Sequence, residues 1–156
     1  MRFIRDTFRK IKYKLKFTAV RKNLNLSYLS SGNTNQELKK LMDFYGSDKG
    51  GKNNQHNFAQ YYSDIFNNKK EKVKNFLEIG LGSNNLDVPS NMGVDGKPLA
   101  SLRAWRDYFI YGNIYGADID KNIFFAENRI KTFFLDQSYK NSVIKMWSDL
   151  NKKNFD

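Results

Sequence analysis

Apolar positions change spacing along this chain, and each change predicts an element. Leu38, Leu41, Met42 and Tyr45 recur at three- and four-residue intervals, one face of a helix from about 35 to 45, with Thr34 and Glu37 forming a T-x-x-E capping box at its start. "GSDKGGKNNQ" interrupts that spacing with glycines and polar residues, and "HNFAQYYSDIF" resumes it as a second helix. From Val73 the pattern changes: "VKNFLEIG" is short, rich in strand formers and bounded by a turn, which predicts a buried strand ending near Ile79. After a polar loop of roughly fifteen residues, "PLASLRAWRDYF" has Leu99, Leu102, Trp105, Arg106 and Phe109 at helical spacing. "NIYGADI" and "RIKTFFLDQ" read as the second and third strands. "SYKNSVIKMWSDLN" reads as a helix with Val143, Met146, Trp147 and Leu150 on one side. Strand, helix, strand, short connection, strand, helix predicts a doubly wound α/β domain. It starts near residue 35, after the Asn/Ser-rich stretch "NLNLSYLSSGNTN".

Composition narrows this picture. A chain of 156 residues holds one compact domain, and 40% apolar content suffices for its core. Without cysteine there is no disulfide framework and no thiolate metal site, which fits a reducing cytoplasm. The apolar runs are far shorter than the roughly 20 residues a spanning helix needs. The net charge of +11 suggests nucleic acid until it is divided along the chain. Residues 1–22 carry nine Lys/Arg against the single Asp6, whereas the rest carries 18 against 15, so the folded part has no basic reading surface and no sequence-specific nucleic-acid partner is expected. Within residues 1–34, a basic arm and linker, Ile4, Phe8, Ile11 and Leu15 make a narrow apolar stripe among Arg and Lys. Two readings stand: a helix packed on its own domain or a partner, and peripheral contact of residues 1–22 with an anionic membrane surface.

The candidate chemistry sits at the strand ends. Glu78 and Gly80-x-Gly82 fall where the first strand hands over to its helix, Asp118 ends the second strand, and Asp136 ends the third. In open α/β sheets the crevice at the carboxyl ends binds the ligand. Glycines let a ligand approach the backbone, and carboxylates accept hydrogen bonds from hydroxyl or cationic groups. A dinucleotide would want a third glycine where Asn85 stands, and a P-loop would want a following Gly-Lys-Ser/Thr. S-adenosylmethionine (SAM), with a ribose and an amino-acid tail but no phosphate, suits this acid-rich rim. Duller readings cover other residues: His56 as a surface or capping residue, Arg103 and Trp105 as packing, Arg129 and Lys131 as solvated charge, and Phe124, Phe125, Phe133 and Phe134 as core.

In order along the chain, "FYGSDKG", a downstream "H-x-F" and "YY", "LEIGLG", a loop containing "VP", "GKPLASLRAWRDYF", "IYGADID" and "RIKTFFLDQS" resemble the class I SAM-dependent sugar O-methyltransferases of the macrocin O-methyltransferase type. The resemblance runs from about Leu41 to the last residue. It implies a Rossmann-like class I methyltransferase fold and methyl transfer from SAM to a hydroxyl of a sugar or glycan precursor, with assistance from a divalent metal such as Mg2+. By motif match Glu78, Gly80 and Gly82 would line the SAM site and Asp118 would hold the ribose. Asp136 would lie near the adenine or the metal, and Ser47, Asp48 and Lys49 would form part of a lid over the cofactor. Where the family tends to show His-x-Tyr, this chain has His56-x-Phe58. The resemblance also leads to the expectation that residues 35–156 stop after the third parallel strand and its helix, ahead of the strand that carries the family's acidic pair. Two functions follow from it: a sugar O-methyltransferase, inactive as this 156-residue chain, and a non-catalytic remnant or interaction module of an interrupted gene.

Overall fold

The computed structural model describes residues 36–52, 56–151 and 154–156. The basic arm and linker of residues 1–34 lie outside the described residues, as does the Thr34 half of the expected capping box. Helix α1 spans Glu37–Tyr45 and starts at Gln36 without a side-chain cap. Gly46, in the left-handed region, ends it and leads into a short 3-10 turn, Asp48–Gly50. Helix α2 is Phe58–Phe66. Strand β1 is Asn75–Ile79, helix α3 Ala100–Tyr108, strand β2 Asn113–Asp118, strand β3 Ala126–Glu127, strand β4 Ile130–Phe134 and helix α4 Lys140–Leu150.

The sheet runs β1-β2-β4-β3. β1, β2 and β4 are parallel, with Glu78 opposite Gly116 and Asp118 opposite Phe134. Side chains alternate across the sheet, so each strand feeds two layers. One face buries Ile114 and Ile130 against Leu38, Met42, Leu102, Trp105 and Phe109 of α1, α3 and the turn after α3. The other buries Tyr115, Ala117 and Phe133 against Met146 and Leu150 of α4. Helices on both faces of a parallel sheet make this the expected doubly wound α/β fold. Aromatic rings cement the first layer: Trp105 stacks on Phe109 at 5.4 Å and meets Phe66 and Phe76 at 6.0 and 4.6 Å.

Two local readings are corrected. The third strand is preceded by a short antiparallel arm, β3, which pairs Glu127 with Ile130. Arg129, in the tight turn between β3 and β4, is not solvated charge. Its guanidinium donates to the carbonyls of Phe109 (2.8 Å), Gly112 (2.7 Å) and Arg106 (2.8 Å), tying together the backbone where α3 ends; Phe109 O also accepts the Gly112 N–H at 2.9 Å. Among the described residues no helix is long and apolar enough to cross a membrane.

Candidate functional site

The glycine turn is built by the strand beside it. Gly80 N–H donates to Ala117 O at 2.9 Å, the last rung between β1 and β2. Gly80 and Gly82 then adopt φ of +85° and +83°, a region costly for other residues. Asp118, almost fully buried at the end of β2, accepts the Leu81 N–H on Oδ2 at 2.6 Å and the Asp120 N–H on Oδ1 at 3.0 Å. Asp120 takes the Ser83 hydroxyl on Oδ2 and the Asn122 N–H on Oδ1 at 2.9 Å. The Ser83 hydroxyl holds the Asp120 carboxyl below its ordinary range. Two acids two residues apart thus hold the turn by its backbone and its serine.

The long loop between β1 and α3 folds back on this turn. Met92 N–H donates to Ser83 O at 2.7 Å, Asn84 Nδ2 donates to Gly96 O at 3.0 Å, and Leu99 N–H donates to Leu81 O at 3.1 Å. The result is a cleft of about 520 Å³ at the carboxyl ends of the parallel strands. Gly80–Ser83, Asp118 and Ile119 line it from the strand ends, Val88, Pro89 and Met92 from the loop, and Leu135–Ser138 from beyond β4, with Asp48 and Lys49 from the 3-10 turn.

Six of the eight residues singled out from the sequence line this cleft: Asp48, Lys49, Gly80, Gly82, Asp118 and Asp136. Asp136 accepts the Ser138 hydroxyl (2.6 Å) and N–H (2.8 Å) on Oδ1, which holds its carboxyl below the usual value. Ser47 does not line the cleft; it is buried behind it and accepts the Lys49 N–H at 3.4 Å. Glu78 does not line it either. Its side chain, only 11% open, sits beside Lys49, whose Nζ is 3.4 Å from Oε1, with the Ser101 hydroxyl and the Trp105 ring N–H of α3 also acting on the carboxyl. Burial pushes the Glu78 carboxyl up, against the pull of Lys49. Burial works against the Lys49 charge, but Glu78 and Asp48 outweigh it and hold its pKa above the ordinary value. His56 is exposed, stacked at 5.0 Å on Phe58, and is absent from the cleft lining.

Sequence reasoning missed Asp120, Ser83 and the Val88–Met92 wall. The D-x-D of "GADID" and the serine after Gly82 were visible signals for the first two. Nothing in the loop's composition shows that it folds back. Among the described residues no three His, Cys, Asp or Glu side chains cluster as a candidate metal centre.

A scan against protein-family models finds no match. Over 94 residues the chain is 34% identical to 8-demethyl-8-alpha-L-rhamnosyl tetracenomycin-C 2'-O-methyltransferase of Streptomyces olivaceus, a match covering 60% of this chain and 22% of that protein. Among solved structures it resembles the MycE methyltransferase of the mycinamycin biosynthetic pathway in complex with Mg and SAH, with a TM-score of 0.57 and 29% identity over 72% of this chain and 28% of that one. It also resembles MycE in complex with Mg, SAH and mycinamycin VI, with a TM-score of 0.51 and 32% identity over 65% of this chain and 25% of that one. The chain therefore spans about a quarter of the length of these relatives. Over that span its sequence and fold are similar to those of SAM-dependent sugar O-methyltransferases.

Proposed function

We propose that the cleft binds SAM and that the chain supplies the cofactor side of a sugar O-methyltransferase. The observation that carries this reading is the glycine turn held by Asp118 at the mouth of an acid-lined cleft. A Cβ added at Gly80 would meet nothing within 4 Å, so a ligand has access to the backbone there. The volume is that of a small-molecule site. A dinucleotide suits it poorly. Its pyrophosphate would want a helix N-terminus directly after the turn, whereas α3 begins only at Ala100. Three of the four charged residues lining the cleft are acids, which repel phosphate.

SAM, when bound, supplies a sulfonium methyl group to the attacking oxygen of an acceptor hydroxyl. The chain's own residues orient it. Each Asp118 oxygen already takes one N–H but has a second lone pair, so the carboxylate can hold the turn and still accept from ribose hydroxyls. Asp136, stabilised as an anion by Ser138, is a weak proton acceptor and serves as a hydrogen-bond acceptor for the nucleoside. For a divalent metal the described residues supply one candidate carboxylate, Asp136; Mg2+ keeps several waters and takes one or two carboxylates, so Asp136 would be one ligand of a site that the described residues alone do not complete. No step is assigned to a metal. The acceptor class, a sugar hydroxyl, comes from the likeness to the rhamnosyl 2'-O-methyltransferase and to MycE.

Titration calorimetry on the 156-residue chain tests the reading. S-adenosylhomocysteine (SAH) should bind, NAD should not, and Asp118→Asn should weaken SAH binding by about 10-fold or more, the scale of one charged hydrogen bond. Binding of NAD without a response to SAH would overturn it.

A further inference from the structure

The end of the molecule opposite the cleft carries an apolar turn flanked by lysines. Between α3 and β2 the Gly112 N–H donates to Phe109 O at 2.9 Å, closing a tight turn whose two central residues are Ile110 and Tyr111. Turns favour glycine, proline, asparagine, aspartate and serine. Here Phe109 and Gly112 are buried, while Ile110 and Tyr111 are 49% and 62% exposed. The segment before β1 runs alongside: Val73 O lies 3.2 Å from the place a Gly112 Cβ would take, and the Lys74 ammonium sits 5.8 Å from the centre of the Tyr111 ring. Lys69 and Lys72 belong to the same segment, where the Lys72 N–H donates to Lys69 O at 2.8 Å. Lys69, Lys72 and Lys74 are exposed, and none of them forms an ion pair among the described residues, whereas Lys70 is paired with Glu37 at 2.6 Å. Two acids adjoin these lysines: the exposed Glu71, and Asp156, whose carboxylate accepts the Lys74 and Asn75 N–H groups. An exposed isoleucine gains by leaving water for lipid, a tyrosine ring suits the headgroup level, and ammonium groups around them attract anionic headgroups.

We propose that this turn and its lysines form a docking face for an anionic lipid bilayer. Ile110 and Tyr111 enter the headgroup–acyl boundary, and Lys69, Lys72 and Lys74 rest on the headgroup charges. The face lies at the amino ends of β1 and β2 and the cleft at their carboxyl ends, about 17–20 Å away for strands of this length. A docked chain therefore keeps its cleft open to the aqueous side, whatever the cleft binds.

The chain has no cysteine, so in the full 156-residue protein Ile110→Cys carries a single environment-sensitive fluorophore at the turn. Val94→Cys, 75% exposed in the loop that folds back over the glycine turn, carries it at the cleft end. With vesicles of equal parts phosphatidylcholine and phosphatidylglycerol, the label at 110 should shift to the blue and be quenched by brominated acyl chains. The label at 94 should do neither, and phosphatidylcholine alone should shift neither label. Replacing Lys69, Lys72 and Lys74 by Gln should raise the lipid needed for half the shift roughly fivefold per lysine, with the urea midpoint unchanged. Tyr111→Ser should raise it as well. A label at 110 that stays in water while the chain sediments with the vesicles would place the contact elsewhere, residues 1–22 included, and overturn the inference. Equal shifts at both positions, or a shift indifferent to the lysines, would overturn it too. A response of the 110 label to polyuridylate and not to vesicles would assign the face to nucleic acid instead.

Discussion

One methyl group separates Gly82 from alanine, and the turn has no room for it. A Cβ there would lie 2.1 Å from Met92 Sδ, and the backbone is already at φ +83°. Gly82→Ala should cost about 1–3 kcal/mol in urea unfolding, through strain and the displaced loop. Gly80 shares the dihedral but faces open space. Gly80→Ala should therefore cost only the roughly 1–2 kcal/mol of the left-handed backbone while removing most SAH affinity, because its methyl points where the ligand approaches. Stability and binding thus respond to different glycines of one motif. Glu78 predicts a pH dependence. Its folded pKa is raised above the unfolded value, so its contribution favours the fold fully below the unfolded pKa and is lost as pH rises through the folded one. Glu78→Gln removes that term, so its stability relative to the unaltered chain should improve from pH 4 to pH 8 in parallel denaturation series. The sequence showed that an acid and two glycines meet at a strand end. It did not show that Glu78 pairs with Lys49, because that depends on which face of β1 the side chain takes relative to a turn some thirty residues earlier.

At the scale of elements, the C-terminus of α3 depends on a residue from another strand. Arg129 reaches three carbonyls near that end, so Arg129→Met should destabilise the fold by about 2–3 kcal/mol, the range for hydrogen bonds from a charged group that leave buried acceptors behind. Arg129→Lys should recover little of it, since one ammonium cannot reproduce the planar fork. Urea midpoints with unchanged slopes would check both. Periodicity made the helices and parallel strands legible, because α1, α3 and α4 each bury one stripe and each strand is short and β-rich. It did not reveal β3 or the partner of Arg129. A two-residue strand has no period to read, and the turn that joins it to β4 depends on a non-glycine at φ +62° that no local signal announces. The ion pairs of Arg103 and Arg106 with Glu127 escaped for the same reason: they bridge α3 to that short arm.

At the scale of the whole molecule, the outer edge of β1 bears on association. Lys74 O and Gly80 N–H serve β2, so the main-chain groups of Asn75, Leu77 and Ile79 face the other way. Asp156 meets that edge at its start, its N–H donating to Asn75 O at 3.1 Å and its carboxylate accepting from Lys74 N–H at 2.7 Å and Asn75 N–H at 3.0 Å. Beyond that point no strand among the described residues covers it, and Ile79 is 44% exposed. Open apolar edges pair with one another. The chain should show concentration-dependent association in sedimentation velocity, reduced by Ile79→Lys, which places a charge on the edge.

The parallel pairing has a further consequence, in time. Asn75 pairs with Asn113, so β1 gains its neighbour only after the intervening loop and α3 exist. On the ribosome, β1 therefore emerges with both margins bare and waits for β2, and the same delay recurs in a tube. Contacts so far apart in sequence are closed late, whereas the backbone hydrogen bonds of α1 and α2 each close over four residues. On dilution from urea, far-ultraviolet helical signal should return first and the fluorescence change from enclosure of Trp105 in its aromatic stack should lag behind it. Simultaneous recovery of the two signals would mean that the sheet is assembled as early as the helices. The interval between them is when a nascent chain of this kind would most need a chaperone.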